Sequence, residues 1–433
     1  MNLRTLLDRL PVGTLVRRAA TLGSGAAIGQ IAVVGATPLL ARMYEKSDFG
    51  VLSVVLAVTG VAIVVSSLRY EQAIVVAESD EEASAVAQTS AALVVVVVTL
   101  TSVLALAGGH ALASFTNSED LQHVLWLVPP TIAAGGINQI LVSWATRRGD
   151  FEALSRSKAA QGIGMAATQL LSGWLFNGPI GLVAGITVGW IVGTIMLLPS
   201  AGDLHLTSLR LSWAAAVRYR RFPQLGLLAS LLNRGALEIP AVALAALHGP
   251  EVAGAFLIAN RVVATPTRLV TEAAYQVYVN EASRLQRETP GELGVLFNRS
   301  LRRLALLSIP PALLLSTIGP WSFGLVFGGD WSDAGDYVRL LSLVLVAMLV
   351  TQPVAATLWI LDRQDLQLVR EIARVVLVAL AFVIAGWFDL TPTAAVFAYV
   401  IAMSAGYGLL LAMCRTVVHG VDSAPARPEL AVA

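Results

Sequence analysis

Two stretches of this sequence place charge inside apolar surroundings. In "NRGALEIP" Arg234 and Glu238 stand four residues apart, midway along an apolar run. Further on, Arg261, Arg268 and Glu272 are spaced seven and four residues apart, so they share one helix face. Asn233 and Asn260 add polar groups beside them. Another long apolar run ends in "VSSLRYEQAIVVAESDEE", with Arg69 and Glu71 followed by four more apolar residues, Ile74 to Ala77. An arginine at bilayer depth costs ~2.5–3.5 kcal/mol on insertion scales. Each must therefore meet a partner, water or an anion. Pairing of Arg234 with Glu238 and of Arg268 with Glu272 is one outcome. It leaves Arg261 without a local partner, and Arg69 also if Glu71 points away. Arg69 has a second reading, as a residue that snorkels to the interface. Surplus guanidinium suits an anion, and bidentate contact with phosphate suits Arg better than Lys.

The elements that must position these residues follow from composition. Of 433 residues 56% are hydrophobic and 13% charged; a soluble domain carries roughly 25% charged residues. Runs such as 83–107 and 340–361 have the length of a transmembrane helix rather than of a buried strand. The expected fold is an all-α polytopic membrane protein. About twelve spans are expected, near 20–40, 50–77, 83–107, 121–142, 159–176, 180–199, 223–247, 252–279, 301–319, 338–361, 371–388 and 393–414. Counted from Gly50, Arg69 lies roughly 28 Å along a helix. The apolar residues beyond it predict that this helix continues past the headgroups and packs against other protein, as does the eighth span.

Basic residues set the orientation. With the N-terminus cytoplasmic, 23 of the 29 Lys and Arg fall inside, Arg370 and Arg374 among them, against Arg42, Lys46 and Arg339 outside. Both termini are then cytoplasmic. "YEKSDFGVLSVVLA" from Tyr44 and "HGPEVAGAFLIANR" from His248 each form a polar hairpin opening an apolar helix. An offset of 204 residues pairs Gly50 with Gly254 and Gln72 with Gln276. This predicts parallel six-span repeats: a lobe over 1–201, a basic amphipathic linker over 202–222, a second lobe over 223–415 and a disordered tail over 416–433. Substrate sites in such proteins lie between the halves.

"GQIAVVGATPLLARMYEKSDFGVLSVVLAVTG" followed by "SLRYEQAIVVAESDEEA" resembles the N-terminal signature of Wzx-type polysaccharide transporters, flippases of the multidrug/oligosaccharidyl-lipid/polysaccharide (MOP) exporter superfamily. The matching residues are Pro38, Arg42, Tyr44, Asp48, Phe49 and Gly50, then Leu68, Arg69, Tyr70 and Glu71. The resemblance covers about the first 80 residues; beyond them it rests on span count and layout. It implies two six-helix lobes around a central cavity. It also implies transfer of an undecaprenyl-pyrophosphate-linked oligosaccharide, an O-antigen or exopolysaccharide unit, to the outer leaflet of the bacterial cytoplasmic membrane. A cationic cavity would hold the pyrophosphate, a role that falls here on Arg69, Arg234, Arg261 and Arg268, with Asn233 and Asn260 beside them. Glu71, Glu238 and Glu272 are the candidates for coupling to Na+ or H+. Glycosyltransferases or a polymerase of the same pathway are the expected protein partners.

Competing classes are weighed on the same residues. A multidrug or small-molecule antiporter would favour acidic over basic cavity groups, and Arg outnumbers Glu among the buried charges. A membrane polymerase or ligase needs a sizeable outside loop. The longest, from Gly319, holds Asp330, Asp333 and Asp336, with Trp321 and Trp331 placed as interfacial anchors. His110, His123, His205, His248 and His419 are scattered without metal-ligand spacing, and Cys414 is the single cysteine. No G-x-x-x-x-G-K-[ST] loop occurs. The net charge of +1 points to no special partner, nucleic acid included. No cofactor, metal or catalytic residue is expected.

Overall fold

The computed structural model describes residues 11–176, 178–361 and 363–422. It contains twelve long helices: α1 (Pro11–Met43), α2 (Lys46–Ser66), α3 (Asp80–Phe115), α4 (Val128–Arg148), α5 (Phe151–Leu175), α6 (Ile180–Ile195), α7 (Leu227–His248), α8 (Pro250–Glu288), α9 (Leu293–Phe327), α10 (Ser332–Thr351), α11 (Gln364–Trp387) and α12 (Pro392–Asp422). Each falls on one expected span. Among the described residues there is no strand, and eight segments are long and apolar enough to cross a membrane. The fold is that of an all-α polytopic membrane protein. Helix α12 runs to Asp422, so residues 416–422 are helical where a disordered tail was expected; 423–433 lie outside the described residues.

The chain forms two compact units. One holds the residues up to Ile258 together with Val326–Trp331; the other holds Ala259–Leu325 and the residues from Ser332 onward.

In the first unit α1 packs on α5, α5 on α6, α2 on α7 and α3 on α4. Lipid tails are as apolar as leucine, so helices in a bilayer associate by close backbone approach and by hydrogen bonds across the contact. Both occur here. A Cβ on Gly162 of α5 would collide with the backbone of Gly29 on α1. Thr131 and Thr187 share a hydrogen bond of 2.6 Å between α4 and α6. Ser157 Oγ donates to the Gly193 carbonyl at 2.7 Å, and Gln169 Nε2 to that of Leu182 at 2.8 Å, between α5 and α6. The helix ends are capped locally. Gly149, at φ 69°, terminates α4. Asp150 then caps α5 by accepting from the Ala153 amide at 3.0 Å and from Ser200 Oγ at 2.7 Å. The Ser200 hydroxyl, followed by that amide, holds the Asp150 carboxyl below its ordinary range.

In the second unit α12 packs on both α10 and α11. Phe382 and Tyr399 stack with centroids 6.1 Å apart. Tyr278 of α8 shares a 2.7 Å hydrogen bond with Thr357, in the short segment after α10. Cys414 is buried.

Candidate functional site

The first candidate residues sit at a corner. Helix α2 ends at Ser66. Leu68 and Arg69 then take positive φ, 49° and 66°, a left-handed conformation that non-glycine residues adopt rarely. A 3₁₀ turn, Tyr70–Gln72, and a single α-turn, Ala73–Val76, follow. The expectation of one helix running on to residue 77 is therefore wrong. The physical reason lies in the buried polar groups. Glu71 is 3% exposed. It accepts a short hydrogen bond from Ser67 Oγ and pairs with Arg69 Nη1 at 3.3 Å. A straight helix would keep Ser67 beside Glu71 at i,i+4 but would turn Arg69, two residues away, to another face and part the ion pair. The apolar residues that follow do meet protein: Ala73, Ile74 and Ala77 are buried in a cluster with Trp144 and Ala215. Arg147 donates to the carbonyls of Ile74 and Ala77, at 3.2 and 2.6 Å, and fixes the corner from α4.

The second group lies on α7. Arg234 and Glu238 form the i,i+4 pair at 2.7 Å. The guanidinium lies against Gly60 of α2, where a Cβ would collide with its nitrogens. Glycine at position 60 leaves room for the guanidinium here; a side chain at that position would push it aside. Asn233 is exposed.

The third group lies on α8, within the second unit. Arg261 and Asn260 are half-buried, whereas Arg268 and Glu272 are exposed. The i,i+4 pairing of Arg268 with Glu272 does not form: Glu272 Oε1 accepts from Gln276 Nε2 at 2.9 Å. Arg69 Nε, Arg234 Nε and Arg261 Nη1 are buried nitrogens without a hydrogen-bond partner. Guanidinium N–H groups in that state are costly unless something accepts from them.

One cluster escaped the sequence reading. Arg370 and Arg374 were counted among the inside basic residues and Glu371 was not singled out, yet all three are buried in α11, at 8%, 6% and 4% exposure. Glu371 pairs with Arg370 and, at 2.5 Å, with Arg374. The i,i+3 spacing in "REIAR" was the available signal.

The signature residues near the first hairpin serve packing. Tyr44 OH donates to the Gln169 carbonyl at 2.7 Å. Asp48 accepts from the Glu45 amide at 3.0 Å at the start of α2. Phe49 meets Trp331 edge-on, with centroids 5.4 Å apart. Trp331, read as an interfacial anchor, is buried and donates to the Ala41 carbonyl at 2.9 Å. Arg42 donates to the Val326 carbonyl at 3.1 Å. A Cβ on Gly50 would collide with the Pro250 carbonyl, and one on Gly254 with that of Lys46. Residues 250 and 254 are 46 and 50 displaced by 204, so the contact is reciprocal under the offset found in the sequence. A polar cavity of about 680 Å³ opens beside it, lined by residues that include Arg42, Lys46, Glu45, Glu251 and Asp330. Among the described residues no group of His, Cys, Asp and Glu could hold a metal ion.

Twelve long helices, with arginines set inside the spans, define a polytopic membrane protein with charge in its interior. The model of the family described as "Polysaccharide biosynthesis protein" matches residues 39–336. The chain belongs to that family, and the resemblance to Wzx-type polysaccharide transporters is borne out. Solved structures share the fold. A multidrug resistance MATE family transporter of the MOP superfamily, inward-facing, is 14% identical with a TM-score of 0.71, over 94% of this chain and 96% of that one. Lipid II flippase MurJ in an inward closed conformation is 11% identical with a TM-score of 0.76, over 94% and 90%. A MOP superfamily transporter from Pyrococcus furiosus, for which reversed polarity of the binding pocket suggests a different function, is 14% identical with a TM-score of 0.52, over 97% and 98%. No curated protein sequence matches the chain.

Proposed function

We propose that the protein is a flippase for a polyprenyl-pyrophosphate-linked oligosaccharide, the undecaprenyl lipid in a bacterial cytoplasmic membrane, working by alternating access. The observation that carries this reading is the buried guanidinium nitrogens without acceptors on Arg69, Arg234 and Arg261, in a member of the polysaccharide biosynthesis family; Arg370 Nε and Arg374 Nε share that state, but both of those arginines are held by Glu371. A pyrophosphate supplies the missing acceptors, and its charge is matched by more arginine than glutamate. The hydroxyls of an oligosaccharide cannot cross hydrocarbon unsatisfied. A polar path through the protein removes that barrier while the polyprenyl tail stays in lipid. Asn233, Asn260 and Arg268 complete the contacts to the headgroup. Glu238, bound to Arg234, is the first candidate for coupling: a pyrophosphate that draws Arg234 away frees the carboxylate to take up Na+ or H+. Glu71 and Glu272 are the further candidates. Both termini face the cytoplasm, and six helices on each side of the 202–222 linker make up the two repeats. The enzymes that build or polymerise the glycan are the partners that supply and remove its substrate.

The test is translocation of a fluorescent polyprenyl-pyrophosphate oligosaccharide in proteoliposomes. Wild type is expected to flip it, and Arg234→Ala and Arg261→Ala to lose flipping while inserting normally. Wild type that moves cationic drugs and not the lipid is an antiporter instead. Flipping that survives both substitutions leaves these arginines as structural residues.

A further inference from the structure

The segment between α6 and α7 contains a ten-residue helix, Leu209–Arg218, capped by Ser208, whose side chain accepts from the Leu211 amide. It has two apolar faces. Leu211, Ser212 and Ala215 face α3, where Ala215 joins the cluster around Trp144. On the opposite side Leu209, Trp213 and Val217, four residues apart, form one stripe. Leu209 is 82% and Trp213 74% exposed, and Leu206 just before the helix is 90% exposed. Protein covers the first face and leaves the second bare.

The segment's own charge is all of one sign, and the segment lies beside the acidic start of α3. Residues 204–237 contain five arginines and no Asp or Glu. Arg218 is held by Glu78 and, at 3.0 Å, by Glu82. Arg210, Arg220 and Arg221 are exposed. The helix is also fixed in place. Thr89 Oγ1 of α3 donates to the Ser212 carbonyl at 3.2 Å, and Thr207 donates to Gln88 from both its amide and its hydroxyl. Tyr70 OH donates to the Ala216 carbonyl at 3.0 Å, so the helix is bonded to the turn that carries Arg69 and Glu71. These bonds hold it beside residues 84–89, just inside the start of a membrane-spanning helix.

We infer that the 206–221 segment is an interfacial anchor: Leu206, Leu209, Trp213 and Val217 enter the leaflet next to the start of α3, and Arg210, Arg220 and Arg221 bind anionic lipid headgroups. A tryptophan and leucines on one side, flanked by arginines, is the composition of helices that lie in the interface plane. Anionic leaflets attract such basic segments and zwitterionic ones do not. Because the helix is bonded to the Arg69 corner, the leaflet has a direct mechanical link to a candidate substrate contact. The anchor rests on the chain spanning a membrane and is independent of what the protein transports.

The experiment uses full-length protein with a nitroxide at Trp213→Cys in a Cys414→Ser background. It is reconstituted into vesicles of phosphatidylcholine alone or with phosphatidylglycerol. With phosphatidylglycerol, the label is expected to collide with oxygen more than with a water-soluble nickel chelate. Replacing Arg210, Arg220 and Arg221 by Gln is expected to raise nickel collisions severalfold in those vesicles. Monodisperse elution and unchanged thermal unfolding certify that each variant is folded. A label open to nickel in both lipid mixtures overturns the anchor. Equal shielding with and without phosphatidylglycerol overturns headgroup recognition. Dipolar broadening between labels shows a second copy covering the stripe and overturns it as well.

Discussion

Arg234–Glu238 on α7 and Arg268–Glu272 on α8 have the same residue types at the same spacing, and only the first is a pair. On α7 the guanidinium rests against Gly60 of a neighbouring helix and closes on its carboxylate at 2.7 Å. On α8 both side chains are exposed and Glu272 takes Gln276 instead. Spacing along a helix brings two side chains within reach. Whether they join depends on what the second helix offers. A surface that excludes other partners strengthens the charge pair, and an open one lets a neighbouring amide compete.

The largest effect should come from breaking the formed pair. Glu238→Ala leaves the Arg234 guanidinium, half-buried against α2, without its carboxylate, and the expected loss is about 2 kcal/mol of stability. Unfolding in detergent with a double-mutant cycle checks it: the Arg234/Glu238 coupling should exceed ~1 kcal/mol, and the Arg268/Glu272 coupling should be near zero. Equal couplings would dissolve the contrast between the two helices. Gly60→Val tests the slot itself. The added methyls push the flexible guanidinium aside, so a destabilisation of about 1 kcal/mol is expected, and the Glu238→Ala effect should shrink in that background. At the α2 corner, Leu68→Gly relieves a left-handed backbone and should stabilise by roughly 1 kcal/mol, read as a higher unfolding temperature. Arg268→Gln is the smallest perturbation. Its stability change is expected within about 0.5 kcal/mol, so any transport defect it causes reports contact with substrate.

The helices were legible in the sequence because a membrane span needs about twenty apolar residues; α8 was expected over 252–279 and runs nine residues further, to Glu288, through a polar stretch. The corner after α2 was not. No Gly or Pro marks Leu68 or Arg69. The turn is held from outside it, by Arg147 on the Ile74 and Ala77 carbonyls and by Tyr70 on the Ala216 carbonyl, tertiary contacts that leave the run Ile74–Ala77 looking like more helix. The α11 cluster was missed for the opposite reason. Arg370 and Arg374 sit at the end of an apolar run, where basic residues ordinarily meet water, and only packing shows them buried. The pair on α7 was anticipated as one of two outcomes; Gly60, against which the guanidinium rests, lies 174 positions away and has no side chain to announce itself.

The Gly50–Pro250 and Gly254–Lys46 contact is self-complementary, as in a symmetric dimer where one patch meets its own copy. Two half-length chains carrying this hairpin would adhere to each other through the same surface. The 202–222 connection then supplies proximity rather than fit: severed between residues 202 and 206 and co-expressed, the two pieces should still find each other. A bulky residue at Gly50 should undo that reunion as thoroughly as one at Gly254.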